Sequence, residues 1–244
     1  AKVLAGRNIL ITGAGDGIGR AAALSFAQYG ATVILLGRSE AKLEAVYDEI
    51  ESSGGEQPVI VTLDLETATH QDYLNLNNEI IENLGALHGL LHNAGILGEM
   101  KPLAQYNEET FARVMNINLT SNFLLTKAVL SSLQLADNAS IVFTSSSVGR
   151  KSRAYWGSYA VSKFAIEGLM QTWADEFEGT SNIRANSLNP GATQTSMRRQ
   201  AYPGETPSDN PTAEEIMGAY LFLMSADSVN VNGAQLNAQI SKTV

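Results

Sequence analysis

Short apolar runs alternate with longer helical patterns along the whole chain, and this alternation constrains the fold more than any other feature. The runs NILIT (8–12), TVILL (32–36), VIVTL (59–63), HGLLH (88–92), SIVFT (140–144) and IRANSL (183–188) read as strands. Helical patterns fall between them near 18–29, 40–52, 67–84, 107–135 and 157–178, and another follows near 212–225. Continuous apolar strands are buried on both faces, so the alternation implies βαβ units and a parallel sheet with helices on either side. The expected class is a doubly wound α/β fold. The punctuation agrees: Gly30, Gly54-Gly55 and Gly85 follow expected helix ends, and Thr212-Ala-Glu-Glu215 has the form of a capping box. Glu108-Glu109 and Glu214-Glu215 read as first-turn charges facing a helix dipole rather than as catalytic pairs.

No linker or internal repeat divides the 244 residues, so one domain over 1–244 is the economical reading. The least core-like stretch, ATQTSMRRQAYPGETPSDNP (192–211), holds three prolines and mixed charges, which predicts a mobile substrate lid. Arg198 and Arg199 within it read as solvated charges. A net charge of −9 argues against nucleic acid or an anionic membrane as a main partner. With no cysteine there is neither a disulfide nor a thiolate metal site, and His70, His88 and His92 form no HExxH motif, so no metal is expected. No apolar run approaches a membrane span, and AKVLAGRNIL lacks the apolar core of a signal peptide; a cytoplasmic location is expected.

Two local patterns carry chemistry. ITGAGDGIGR (11–20) follows the first strand and opens the first helix, with glycines at 13, 15, 17 and 19. It departs from the GxGxxG fingerprint because Ile18 takes the sixth position, and the pattern is Thr12-Gly13-xxx-Gly17-x-Gly19. The physics is shared: a tight turn, close approach of a pyrophosphate to backbone, and close packing of helix on sheet. An ordinary glycine-rich turn is the bland alternative, but its place at the head of a βαβ series favours a dinucleotide site. In SYAVSKFAIEGL (158–169), Tyr159 stands four residues before Lys163, which puts both on one helix face. The pair is either accidental or a tuned acid. Moving a phenol from ~10 toward ~7 needs roughly 4 kcal/mol, and a charge ~5 Å away at an effective dielectric of ~20 supplies about 3 kcal/mol.

TGAGDGIG, the NAG of 93–95, NINLTS (116–121), FTSSSVG (143–149), YAVSK (159–163) and NPG (189–191) together resemble the short-chain dehydrogenase/reductase family, in its order and spacing. The resemblance spans nearly the whole chain. It implies a single Rossmann-type domain with a parallel sheet of about seven strands, and a nicotinamide cofactor. It further implies Tyr159 as general acid/base and Lys163 as the group that lowers its pKa and holds the ribose. Ser146, thirteen residues before Tyr159, would orient the substrate carbonyl, with Ser145 and Ser147 as neighbours that only this gap sets aside. Asn118 would support a water relay to the lysine, with Asn116 as its competitor. The cofactor contacts implied are Gly13, Gly15, Asp16, Gly17, Ile18, Gly19, Asp64, Leu65, Asn93, Ala94, Gly95, Pro190, Gly191, Thr193 and Thr195, besides Tyr159 and Lys163. Asp64 would meet the adenine, although it could equally cap the next helix, and Thr195 would hold the carboxamide. The family often has Asn where this chain has His92, which reads as structural.

The second strand runs into Gly37-Arg38-Ser39, without the acid that usually takes the adenosine ribose in NAD-preferring folds. Arg38 can fork onto a 2′-phosphate and Ser39 can donate to it, so NADP(H) is expected over NAD(H), which remains usable. The expected substrate is a small carbonyl/alcohol pair, in a pocket shaped by Val148, Tyr155, Trp156 and the lid. The alternative is an inactive NADP-binding sensor on the same fold. A third reading, an elimination or epimerisation enzyme, is disfavoured by the short chain. Surplus apolar residues on the 107–135 and post-Tyr159 helices, Phe123 and Phe164 among them, predict a homodimer or homotetramer.

Overall fold

The computed structural model describes residues 2–239. Seven parallel strands form one sheet in the order β3-β2-β1-β4-β5-β6-β7. They are β1 (Asn8–Thr12), β2 (Thr32–Gly37), β3 (Val59–Thr62), β4 (Gly89–His92), β5 (Ala139–Thr144), β6 (Ile183–Asn189) and β7 (Gln235–Asn237). The order reverses between β1 and β4, so a crevice opens beyond their C-terminal ends.

Period-two alternation sorts the strand side chains into two cores. Ile9, Ile11, Val33, Leu35 and Val142 face one side, where Phe26 of α1 (Gly17–Gln28) and Tyr220 of α9 (Met217–Met224) cover them. Leu10, Ile34, Leu36, Ile141 and Phe143 face the other, under α3 (His70–Leu84), α5 (Ser121–Ala128) and α7 (Gly157–Phe177). The remaining helices are α2 (Glu40–Ser52), α4 (Glu108–Met115), α6 (Leu130–Gln134) and α8 (Ser196–Ala201).

Three differences from the sequence reading have clear causes. The third helix starts at His70 rather than near 67, because Thr69 and Asp72 close a capping box with bonds of 2.7 and 3.3 Å. The pattern over 107–135 is not one helix: it holds a π turn at Asn116–Thr120 and breaks again at Val129. The stretch 192–211 is not a featureless loop but contains α8 and a 3₁₀ turn at Pro207–Asp209, and Gln194 pins its ends by bonding to Asn210 and Pro211. The expected box at Thr212 is present, with Thr212 N donating to Glu215 Oε2 at 2.7 Å.

Candidate active site

The loop after β1 depends on missing side chains. Gly13 has φ 69°, and a Cβ there would sit 3.1 Å from Ala94 Cα. A Cβ on Gly19 would lie 2.1 Å from the Gly13 carbonyl oxygen, so no other residue fits without opening the turn. This is a cradle whose backbone a pyrophosphate can approach, and it fits a dinucleotide. Asp16 caps α1 by accepting from Gly17 N at 2.7 Å and pairs with Lys42 at 2.8 Å, which holds its carboxyl below the usual range.

The sequence reading assigned no role to Thr12, yet Thr12 joins two halves of the site. Its Oγ1 accepts from Asn93 N and Ala94 N, both at 3.0 Å. The 93–95 segment is thereby fixed against the glycine loop, and the only signal was the threonine that opens the motif. A Cβ on Gly95 would come within 3.2 Å of Asn118 Oδ1. Asn118 is fully buried in the π turn. Its amide accepts from Ile96 N at 2.8 Å and donates to Ile96 O at 3.0 Å and to Ser162 Oγ at 3.1 Å. A one-residue widening of a helix is a common device for aiming a functional side chain. Asn116 instead bonds to the Glu66 carbonyl.

At the far end of the loop system, Arg38 is exposed and makes no ion pair among the described residues. Ser39 begins α2 without using its hydroxyl as a cap. Asp64 accepts from Glu66 N at 3.0 Å, a local turn contact, and Leu65 is buried in the core under α3.

Tyr159 and Lys163 lie on α7, 8% and 4% exposed, with Lys163 Nζ 5.6 Å from the Tyr159 ring centroid. Lys163 donates to the Thr144 carbonyl at 2.6 Å, at the end of β5. Ser146 follows that strand and faces the phenol. Glu167, one turn beyond Lys163, is buried and accepts from Ser187 at 2.6 Å and Gln235 at 3.0 Å. The expected lowering of the Tyr159 pKa is not what the buried pair exhibits. Burial pushes the phenol up to about 12, with Ser146 opposing, and pushes Lys163 down to about 8, with Glu167 opposing. Loss of hydration outweighs the attraction that the sequence spacing suggested, because both groups lose water together.

Lys163 therefore links stability to pH. The folded chain releases its proton near pH 8 and the unfolded chain near 10.5, so between these values the unfolded state holds more protons and stability rises with pH. Lys163→Met keeps the stem without the charge. The stability difference between variant and parent should shift by about 1–3 kcal/mol between pH 7 and 9.5, in the parent's favour at the higher pH. Urea unfolding at both pH values checks this, and a difference that does not move with pH counts against it.

A cavity of about 270 Å³ opens beside Tyr159. Ser145, Ser146, Val148, Trp156, Pro190, Gly191 and Thr193 line it together with Met197, Arg198 and Tyr202 of the 192–211 segment. Tyr155, expected in the pocket, is not part of that lining; it is exposed, with φ 73°. Thr195 caps α8, accepting from Arg198 N at 3.0 Å, and its Cγ2 would be 3.4 Å from a Cβ on Gly17. Ile18 is half-buried against the first core. The expectation that Arg198 is merely solvated fails: it pairs with Glu205 at 2.6 and 2.5 Å and lies 3.9 Å over the Tyr202 ring.

His88 and His92 stand four residues apart, but not as a ligand pair. His92 is buried, neutral and stacked on Phe143, with Nε2 2.7 Å from Thr126 Oγ1, while His88 Nδ1 accepts from Asn8 N. Among the described residues there is no group of three side chains that could hold a metal, and no helix is long and apolar enough to cross a membrane.

A short chain dehydrogenase family profile matches residues 7–206. The chain is 48% identical to the uncharacterized oxidoreductase YciK of Escherichia coli (strain K12), over 96% of this chain and 92% of that one. A solved short chain dehydrogenase from Pseudomonas syringae superposes with a TM-score of 0.96 at 56% identity, covering 98% of this chain and 96% of its own. A Shigella flexneri 2a relative solved in complex with NADP gives 0.95 at 48% identity, covering 98% and 99%.

Proposed function

Since the chain belongs to the short-chain dehydrogenase/reductase family, we propose that it is an NADP(H)-preferring oxidoreductase that interconverts a small carbonyl compound and its alcohol. The observation that carries this reading is that Ser146 and Tyr159 line one cavity, with Lys163 Nζ 5.6 Å behind the Tyr159 ring, in a chain that also carries a glycine cradle after β1. When bound, the nicotinamide dinucleotide supplies the hydride. The glycine loop, Arg38 and Ser39 hold its phosphates, Asp64 and Leu65 its adenine end, and Asn93–Gly95 and Lys163 its riboses. Pro190, Gly191, Thr193 and Thr195 hold its reactive end. Ser146 donates a hydrogen bond to the substrate carbonyl, and Tyr159 Oη gives its proton to that oxygen as the alcohol forms. Burial keeps the Tyr159 phenol protonated, so the proton to be given is in place before the carbonyl arrives. Lys163 and Asn118 lie on the path by which the proton is replaced.

The test is the loss of reduced-cofactor absorbance against a panel of aldehydes and ketones. Turnover supports the reading. Tight NADPH binding with no turnover across the panel replaces it with the sensor.

We also propose that the chain pairs through α5 and α7. Phe123 is 40% and Phe164 45% exposed there, whereas Val114, Val129, Leu133 and Met170 of the same helical patterns are buried. Light scattering at micromolar concentration should give a dimer or tetramer mass, and a monomer mass contradicts it.

A further inference from the structure

The cavity beside Tyr159 has a lopsided charge. Its charged lining residues are Arg153 and Arg198, and no Asp or Glu lines it. Arg198 is already answered by Glu205 in a two-bond pair. Arg153 has no carboxylate within ion-pair distance among the described residues. In a chain of net charge −9, a binding cavity thus keeps one unanswered cation. One flank of the wall is apolar or aromatic, with Leu97, Trp156, Met197 and Tyr202, and Trp156 lies 5.7 Å from Tyr159 and 6.0 Å from Tyr202 between ring centroids; uncharged Ser145, Ser146, Ser147, Asn189 and Thr193 lie elsewhere in the lining. Low-polarity walls strengthen a charged hydrogen bond made against them.

A cation in this loop could instead serve the dinucleotide, but none of Gly13–Gly19, Arg38 or Asp64 lines the cavity. Arg153 therefore faces the substrate side, away from the phosphate cradle. It could also be merely solvated, as an exposed loop arginine usually is; the cavity wall and the missing acid favour a ligand.

Resting on the oxidoreductase reading above, we propose that the substrate is an anionic carbonyl compound: an aldehyde or ketone on an apolar or aromatic body, bearing a carboxylate or phosphate that Arg153 receives. The carbonyl lies at Ser146 and Tyr159, the body against Trp156 and Tyr202, and the anion at Arg153. Arginine suits either anion because its planar fork matches both.

The test uses matched pairs with NADPH: 4-formylbenzoate against its methyl ester, and 4-formylphenyl phosphate as the phosphate arm. The parent should prefer at least one anion over the ester by about tenfold or more in kcat/KM, as expected for one charged hydrogen bond. Whichever anion gains more identifies the group. Arg153→Ala should bring that ratio close to one, and Arg153→Lys should keep part of it. A parent ratio near one for both anions, or a ratio untouched by Arg153→Ala, overturns the proposal. Calorimetric titration of 4-(hydroxymethyl)benzoate and its methyl ester into the NADPH complex reads the same preference without turnover, since neither alcohol can react there. Equal binding of acid and ester, together with no preference for the phosphate aldehyde, overturns it too. Reduction of the neutral ester without anion preference removes this inference and leaves the oxidoreductase reading standing; anion-selective binding with no turnover of any carbonyl does the reverse.

Discussion

Tyr159→Phe should lower turnover by roughly 10²-fold or more on any carbonyl the parent reduces, while fold and cofactor affinity stay near parental values. The substitution removes one oxygen from a side chain that is 8% exposed and keeps the ring that packs on Trp156. That oxygen anchors no backbone group, so the thermal midpoint should barely move. Chemistry is different. Ser146 can orient a carbonyl but its own proton is far too weakly acidic to replace a phenol, and Lys163 is turned to the Thr144 carbonyl. Turnover of both proteins under saturating NADPH, with a melting curve for each, checks the prediction. Near-parental turnover in the Phe variant would show that the proton comes from elsewhere.

What the sequence made legible follows from how tightly residue type is bound to geometry. The glycine loop was readable because the turn admits no Cβ at Gly19, and β1, β2, β4 and β5 were readable because burial on two faces demands apolar runs. β7 left no such trace: it is three residues long at the sheet edge, with Gln235 and Asn237 exposed. The π turn was hidden because one widened turn displaces the apolar pattern by only a single residue. It shows only in where the Asn118 amide lands, on the Ile96 peptide far from it in sequence. α8 was masked by the proline-rich context around it, although Thr195 is an ordinary capping residue. The Tyr159–Lys163 spacing placed both side chains on one face of α7, but the shift of the phenol could not be read from spacing. Coulomb attraction can be estimated from spacing, whereas desolvation depends on how completely the other elements enclose the pair.

The parent should prefer NADPH over NADH by about ten- to hundredfold in affinity, and Arg38→Ala should remove most of that preference. A 2′-phosphate at the end of β2 would meet Arg38, which has no ion-pair partner, and the Ser39 hydroxyl, which is not spent on capping α2. The acids nearby are largely answered. Asp16 is bonded to Lys42 at 2.8 Å, and Glu66 is clamped by Arg113 at 2.7 and 2.8 Å. The charge of Arg38 also reaches Glu66 and helps hold that carboxyl below its usual range. What repulsion Asp16 still exerts is screened, since its side chain is more than half exposed. One charged hydrogen bond, worth about 1.5–3 kcal/mol, exceeds that remainder. NADH lacks the phosphate, so Arg38→Ala should leave its binding nearly unchanged. Because Arg38 is exposed, the parental preference should also shrink as salt is raised. Titrating NADPH and NADH into parent and variant at low and high salt decides the matter. A parent that binds both equally, or a variant that keeps the preference, means that the 2′-phosphate is read by some other group or not at all.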